Sequence, residues 1–206
     1  MAPKVKISKE RILETSLKMI IEEGYQAVTI KSVAKTLGCS TQPISWHFGN
    51  MDNFREELLN TAVVYANKKM MSDYNEPLEA LWHIGVSYID MAINEPNLFR
   101  FVYMGECGIY SRGEFSSMLT DKGNSALIDK LSVDKMVDKA LVGGFVQKLI
   151  IYTHGIASLL ATGVINADKK TAFLMMNQFA SDQLKIMGIN ENISYLLKVS
   201  DYEENS

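Results

Sequence analysis

A chain of 206 residues that is 47% hydrophobic and 22% charged carries enough apolar side chains for a sizeable helical core, which excludes disorder for most of its length. The net charge of −3 is uneven: residues 1–60 hold eight Lys and Arg against seven Asp and Glu, the remainder thirteen against seventeen, so a nearly neutral N-terminal part precedes an acidic body. Two cysteines, Cys39 and Cys107, are too few for a disulfide scaffold, and the absence of a secretory pattern or an unbroken apolar run of about 18 residues leads us to expect a soluble, cytoplasmic protein with reduced thiols and no membrane span.

Residues 1–7, MAPKVKI, form a short basic arm that either touches a polyanion or frays. Ser8 is placed to cap a first helix with an apolar stripe at Leu13, Leu17, Ile20 and Ile21, closed by Gly24 and Tyr25. The stretch from Thr29 to Phe48 then reads as two short helices around a tight turn. Ile30, Val33, Ala34 and Leu37 recur at i, i+3, i+4 and i+7 on a helix that Thr29 starts and Gly38 ends. Ser40 is expected to cap the second, which tolerates Pro43 in its first turn and is anchored by Ile44 and Phe48. Asn50 starts a fourth helix with Phe54, Leu58, Ala62 and Tyr65 near one face.

Two helices this short cannot bury their faces alone, but their spacing suits a helix-turn-helix, whose second helix enters the DNA major groove. No Asp or Glu lies between Gly24 and Met51, while Lys31, Lys35 and His47 do, so a phosphate backbone can approach. Periodicity alone fits an ordinary helical hairpin as well.

The segments KERILETSLKMIIEEGYQAVTIKSVAKTLGCS and WHFGNMDNFREELL resemble the DNA-binding domain of TetR-family transcriptional regulators over about residues 8–67. Ser45 stands where that family usually has Tyr in its recognition helix, and Met51 where it usually has Lys; both are typically phosphate contacts. The resemblance implies an all-α fold: a three-helix, helix-turn-helix DNA-binding domain in residues 1–50, then a helical effector-binding and dimerisation domain in 51–200, with a disordered tail at 201–206. It also implies a homodimer on double-stranded DNA with a palindromic operator, most simply a repressor. A small apolar or amphipathic effector would move the linking helix.

Pro77 opens a helix carrying Leu78, Leu81, Trp82, Tyr88 and Ile89 that stops at Asn94-Glu95-Pro96, and Pro96 to about Met104 forms a short, strongly apolar one. GECGIYSRG at 105–113 reads as a loop; it has no phosphate-binding GxxxxGK, so we expect no such site. Phe115, Met118 and Leu119 begin a helix that resumes after Gly123-Asn124. A long apolar helix is expected from Asp134 to about Gly163, with Gly143, Gly144, Ala157 and Ala161 flattening its surface, and another from Asp168 to Gly188. These last two carry more apolar surface than one partner each would need. No strand-like alternation occurs.

Base edges would be met from the start of the second short helix by Ser40, Thr41, Gln42 and Ser45; Gln pairs with adenine and Thr offers a hydroxyl or methyl. Trp46 and His47 are expected against sugar and phosphate or buttressing the helix, with packing the alternative for Trp46. Thr29 and Lys31 would contact phosphate and so position rather than specify. Trp82, Tyr88, Phe99, Tyr103, Met118, Phe145 and His154 are candidates for an effector cavity, and equally for an ordinary core. His154 is similar in its His-Gly setting to one subgroup of TetR-family C-terminal domains, yet a satisfied core histidine fits it too. His83 and His154 lack metal-ligand spacing and no serine sits in GxSxG, so we expect no metal, no cofactor and no enzyme. A regulator without an effector, of nucleoid or protein-interaction type, is the competing reading of the same fold.

Overall fold

The computed structural model describes residues 7–70, 75–106, 122–191 and 193. Among these residues every regular element is a helix: α1 (Lys9–Glu23), a single 3-10 turn (Tyr25–Ala27), α2 (Ile30–Thr36), α3 (Gln42–Phe48), α4 (Met51–Met70), α5 (Pro77–Asn94), α6 (Pro96–Tyr103), α7 (Lys122–Lys135), α8 (Lys139–Ala161) and α9 (Lys169–Ile186). The chain divides into two compact units, the first running to residue 69 and resuming over 95–110, the second taking 70–94 and the chain from 111 on.

In the first unit local signals set most helix ends. The Ser8 hydroxyl accepts the Arg11 N–H at 3.2 Å and starts α1. The buried face of α1 is Ile12, Ser16, Leu17, Met19 and Ile20, so Ile12 takes the core position expected of Leu13, which is only half-buried. Thr29 and Ser32 close a reciprocal box at the start of α2: Thr29 Oγ1 accepts Ser32 N–H at 3.0 Å and Ser32 Oγ accepts Thr29 N–H at 2.9 Å. At its other end Gly38 adopts φ +67°, its N–H bonding Lys35 O at 3.1 Å while that of Cys39 bonds Ala34 O at 2.9 Å. This paired closure needs a left-handed residue, which glycine adopts without steric cost.

One expected cap fails. Thr41, not Ser40, is the residue before α3, and its backbone is already right-handed helical with no side-chain cap bond. A capping side chain needs an extended backbone there, and Pro43 in the first turn removes one of the donors it would serve. Asn50 does start α4, accepting Asn53 N–H at 2.9 Å. Phe54, Leu58, Ala62 and Ala66 are all 0% exposed and lie four residues apart on one face of that helix. Phe48 and Phe54 meet edge-on with ring centroids 4.9 Å apart, a geometry that adds about 0.5–1.5 kcal/mol to simple burial.

The last member of the first unit is α6, which packs on α1. Leu98, Phe99 and Phe101 are 0% exposed, and Phe101 lies against Tyr25 at 5.0 Å between rings. Asn97 Nδ2 donates to the Ile21 carbonyl at 3.1 Å, and Glu95 accepts from Tyr65 at 3.0 Å and from Lys69 at 2.5 Å.

In the second unit α8 packs on α5, α7 and α9, and α5 also on α7 and α9. Its core joins Leu81, Trp82 and Ile89 of α5 to Leu131 of α7, Val142, Phe145 and Leu149 of α8, and Phe173 and Met176 of α9. At Gly85 the α5 backbone comes so near α9 that a Cβ would lie 2.5 Å from Met176 Sδ.

The long helix expected from Asp134 begins later. Residues 122–135 form α7 straight through Gly123, Met136 turns left-handed at φ +51°, and Asp138 caps α8 by accepting from Ala140 N–H at 2.8 Å. Asp134 sits in the last turn of α7 and pairs with Lys135 at 2.8 Å, so its carboxylate is not a helix start. Of the small residues on α8, Gly143, Ala157 and Ala161 are buried, while a Cβ on Gly144 would meet nothing within 4 Å. By length and mean hydropathy of 1.2 α8 could cross a membrane, although Gln147, Lys148 and His154 interrupt its apolar run; its packing on three helices makes it the core helix of the second unit. Asp168 caps α9 as expected, accepting Thr171 N–H at 2.7 Å. The expected loop at 105–113 lies largely outside the described residues, as do Phe115, Met118 and the tail at 201–206.

Candidate nucleic-acid interface

On α3 the helical period puts Ile44 and Phe48 inside, 1% and 4% exposed, and so turns the rest of the helix outward. Thr41, Gln42, Ser45 and Trp46 share that outer surface, with Ser40 exposed just before it. Trp46 is 70% exposed, so it is not a core side chain; its ring meets that of His47 edge-on at 4.9 Å. A short helix that presents a threonine, a glutamine, a serine and an indole to solvent offers hydrogen-bond donors, acceptors and a flat apolar face within two turns, which is the chemistry base edges and sugars present in a groove.

Thr29, Lys31 and Lys35 are exposed on α2, though the Thr29 hydroxyl is already engaged by Ser32. No carboxylate belongs to residues 25–51, and Asp52, the first after them, faces Arg55 at 3.3 Å. Met51, where a lysine would extend the cationic rim, is half-buried.

His47 differs from its neighbours. It is half-buried, and its Nε2 lies 2.9 Å from the carbonyl oxygen of Ile7, so this nitrogen carries a proton and donates it. The bond joins α3 to the residue before the cap of α1, forty positions earlier. Lys9 reinforces the junction: its ammonium pairs with Glu57 of α4 at 2.5 Å and lies 5.6 Å from the centre of the Phe48 ring. Glu10 is held below the usual carboxylate range by hydrogen bonds from the backbone and from Ser8. Nothing in the local sequence of His47 signals Ile7.

The residues proposed for an effector belong to both units. Phe99 and Tyr103 belong to α6 and hence to the first unit, with ring centroids 5.3 Å apart; burial pushes the Tyr103 phenol up to about 12. Trp82 and Phe145 are core side chains of the second unit, 4% and 2% exposed. With Leu78, Leu149 and Met176 they border a crevice of about 20 Å³, the size of one water molecule. The Trp82 indole N–H has no acceptor there, nor has the buried Thr153 hydroxyl a partner.

Tyr88 and His154 do come together. The Tyr88 hydroxyl lies 2.8 Å from His154 Nδ1, and Ser158, one turn further along α8, places its hydroxyl 3.2 Å from Nε2. Burial holds the imidazole below its ordinary pKa, which favours the neutral ring. Ser158 was not anticipated, although its i+4 spacing from His154 was legible. Among the described residues no group of three His, Cys, Asp or Glu is placed to hold a metal.

Residues 12–58 match the family model described as bacterial regulatory proteins, tetR family. No curated protein matches the chain. Among solved structures the chain is similar to a TetR variant from Acinetobacter baumannii AYE in complex with minocycline, with 13% identity, a TM-score of 0.57, and coverage of 88% of this chain and 98% of that one. Identity that low speaks for the fold alone.

Proposed function

The chain is a TetR-family DNA-binding regulator, and from that premise we propose that it works as a ligand-responsive repressor: a cytoplasmic homodimer on a palindromic operator. The observation that carries the DNA reading is the exposed face of α3, where Thr41, Gln42, Ser45 and Trp46 stand out from a rim free of acids. Gln42 reads a base, Ser40, Thr41 and Ser45 add hydroxyl contacts, Trp46 lies along sugar and phosphate, and Thr29 with Lys31 fixes the register of the domain on the backbone.

Dimerisation is supported by the apolar residues that α8 and α9 leave in solvent, among them Leu141, Ile151, Leu159, Leu174 and Met175. Joined as a four-helix interface with the same residues of a second copy, they would bury about 1,500 Å² or more. For the effector, the minocycline held by the similar TetR variant gives the precedent of a small molecule. In this chain Tyr88 and His154 supply a neutral polar anchor for it. A regulator without effector is the competing reading of the same fold.

Anisotropy titrations on matched and scrambled duplexes test the core of the proposal. Gln42→Ala is expected to cost about 1–3 kcal/mol at one base pair per half-site and relax preference there, whereas Lys31→Ala weakens every duplex alike. Equal affinity of the unaltered protein for both duplexes would refute sequence-specific recognition. For an effector that lowers operator affinity a hundredfold, linkage demands that the operator lower effector affinity by the same factor, about 2.7 kcal/mol. Calorimetry with and without operator reads this directly.

A further inference from the structure

We propose that His47 is a positioning residue of the DNA complex: bonded to the carbonyl of Ile7, its ring sets the orientation in which the Trp46 indole meets sugar and phosphate, and His47 itself touches no phosphate. The inference rests on DNA binding by the outer face of α3 and adds what fixes that face.

Three observations carry it. His47 is half-buried with Nε2 2.9 Å from the Ile7 carbonyl oxygen, while Trp46 beside it is 70% exposed and meets its ring edge-on with centroids 4.9 Å apart. Phe48, on the inner face of α3, also lies near the imidazole, with ring centroids 6.3 Å apart. The Ile7 carbonyl precedes the Ser8 cap, so α1 has no use for it: the first backbone bond of that helix runs from the Ile12 N–H to the Ser8 carbonyl at 3.2 Å.

The chemistry of the ring decides what His47 can do. A neutral imidazole has one N–H, and Ile7 takes it, so Nδ1 presents only a lone pair, which a phosphate oxygen repels. The bond also restricts the ring, because both of its side-chain torsions must hold for Nε2 to reach the carbonyl. The indole packed on that ring is restricted in turn, and a side chain ordered beforehand loses less entropy on binding. Lys9 braces the anchoring end by pairing with Glu57 of α4 and lying 5.6 Å from the centre of the Phe48 ring, which holds the start of α1 against α3 and α4.

Anisotropy titrations on the matched duplex compare two variants. His47→Phe keeps a ring beside Trp46 but has no donor for Ile7, and is expected to weaken binding about fivefold per recognition helix. His47→Gln presents the same donor and a flat amide, and is expected to stay within about twofold of the unaltered protein. Binding-competent protein is counted by titration far above Kd, so molecules that fail to fold do not enter the affinity. The slope of log affinity against log salt should be the same in all three, because no phosphate loses a cation. A phosphate contact by a cationic His47 would instead flatten that slope by about 0.9 in both variants, and this overturns the proposal. Equal affinity of His47→Phe and the unaltered protein overturns it too.

The route through Trp46 is read from a double-mutant cycle. Trp46→Ala removes the group that His47 places, so in that background His47→Phe should cost less than about twofold. Losses that simply add would mean that His47 does not act through Trp46, which also sinks the proposal. Equal binding of matched and scrambled duplexes by the unaltered protein overturns the function proposed above instead, and the order of the His47 variants is still readable on either duplex.

Discussion

Replacing Gly85 by alanine sets two opposed effects against each other at one atom pair. In an exposed helix the change stabilises by about 1 kcal/mol, because alanine has less backbone entropy to lose. Here the new methyl would lie 2.5 Å from Met176 Sδ and 3.0 Å from its methyl carbon, and Met176 is only 1% exposed. Its thioether cannot swing into solvent, so the surrounding core has to give, and overpacking of this kind costs about 1–3 kcal/mol. The net expectation for Gly85→Ala is a loss of about 1 kcal/mol.

The cause is isolated by a double-mutant cycle. Met176→Ala alone should cost about 2–5 kcal/mol and leave a space opposite residue 85. In that background Gly85→Ala meets no clash, part-fills the space and stabilises by up to about 1 kcal/mol, which reverses its sign and gives a coupling near 2 kcal/mol. Urea unfolding at one fixed protein concentration measures all four variants, since the stability of an associating protein varies with concentration. A Gly85→Ala change that stabilises both backgrounds equally would refute the close approach of α5 and α9.

Two other expectations concern stability. Met136 holds φ +51° while 93% exposed, so its side chain gains nothing from the left-handed backbone it strains; Met136→Gly should stabilise by about 1 kcal/mol and raise the melting temperature by a few degrees, whereas Met136→Ala should not. His154 is held below its ordinary value of 6.5 by burial, so on acidification the unfolded chain takes up the proton first. Stability is therefore full above the unfolded value and is lost as pH falls below it; His154→Gln should flatten unfolding midpoints measured between pH values of about 7 and 5, and an undiminished slope would place the titrating group elsewhere.

Features set by neighbours in the chain were legible in the sequence. Thr29 and Ser32 close their box across three residues, Gly38 ends α2 within four, and Asn50 and Asp168 each hold the N–H three positions on. Such bonds depend on residue type and spacing alone, so the helix-turn-helix was legible, and so was the resemblance it carries. Even there residue type alone misleads: no side chain caps α3, although Ser40 and Thr41 both precede it, and Asp134 lies inside α7 while Asp138, an identical residue, caps α8, because the backbone of the folded chain decides. Tertiary structure alone decided the rest. His47 finds Ile7 forty residues away and Asn97 finds Ile21 at a separation of seventy-six, which assigns α6 to the first unit. An apolar run such as Pro96–Tyr103 states that it will be buried but not by what, because hydrophobic attraction has no direction and its partner is chosen only when the whole chain packs.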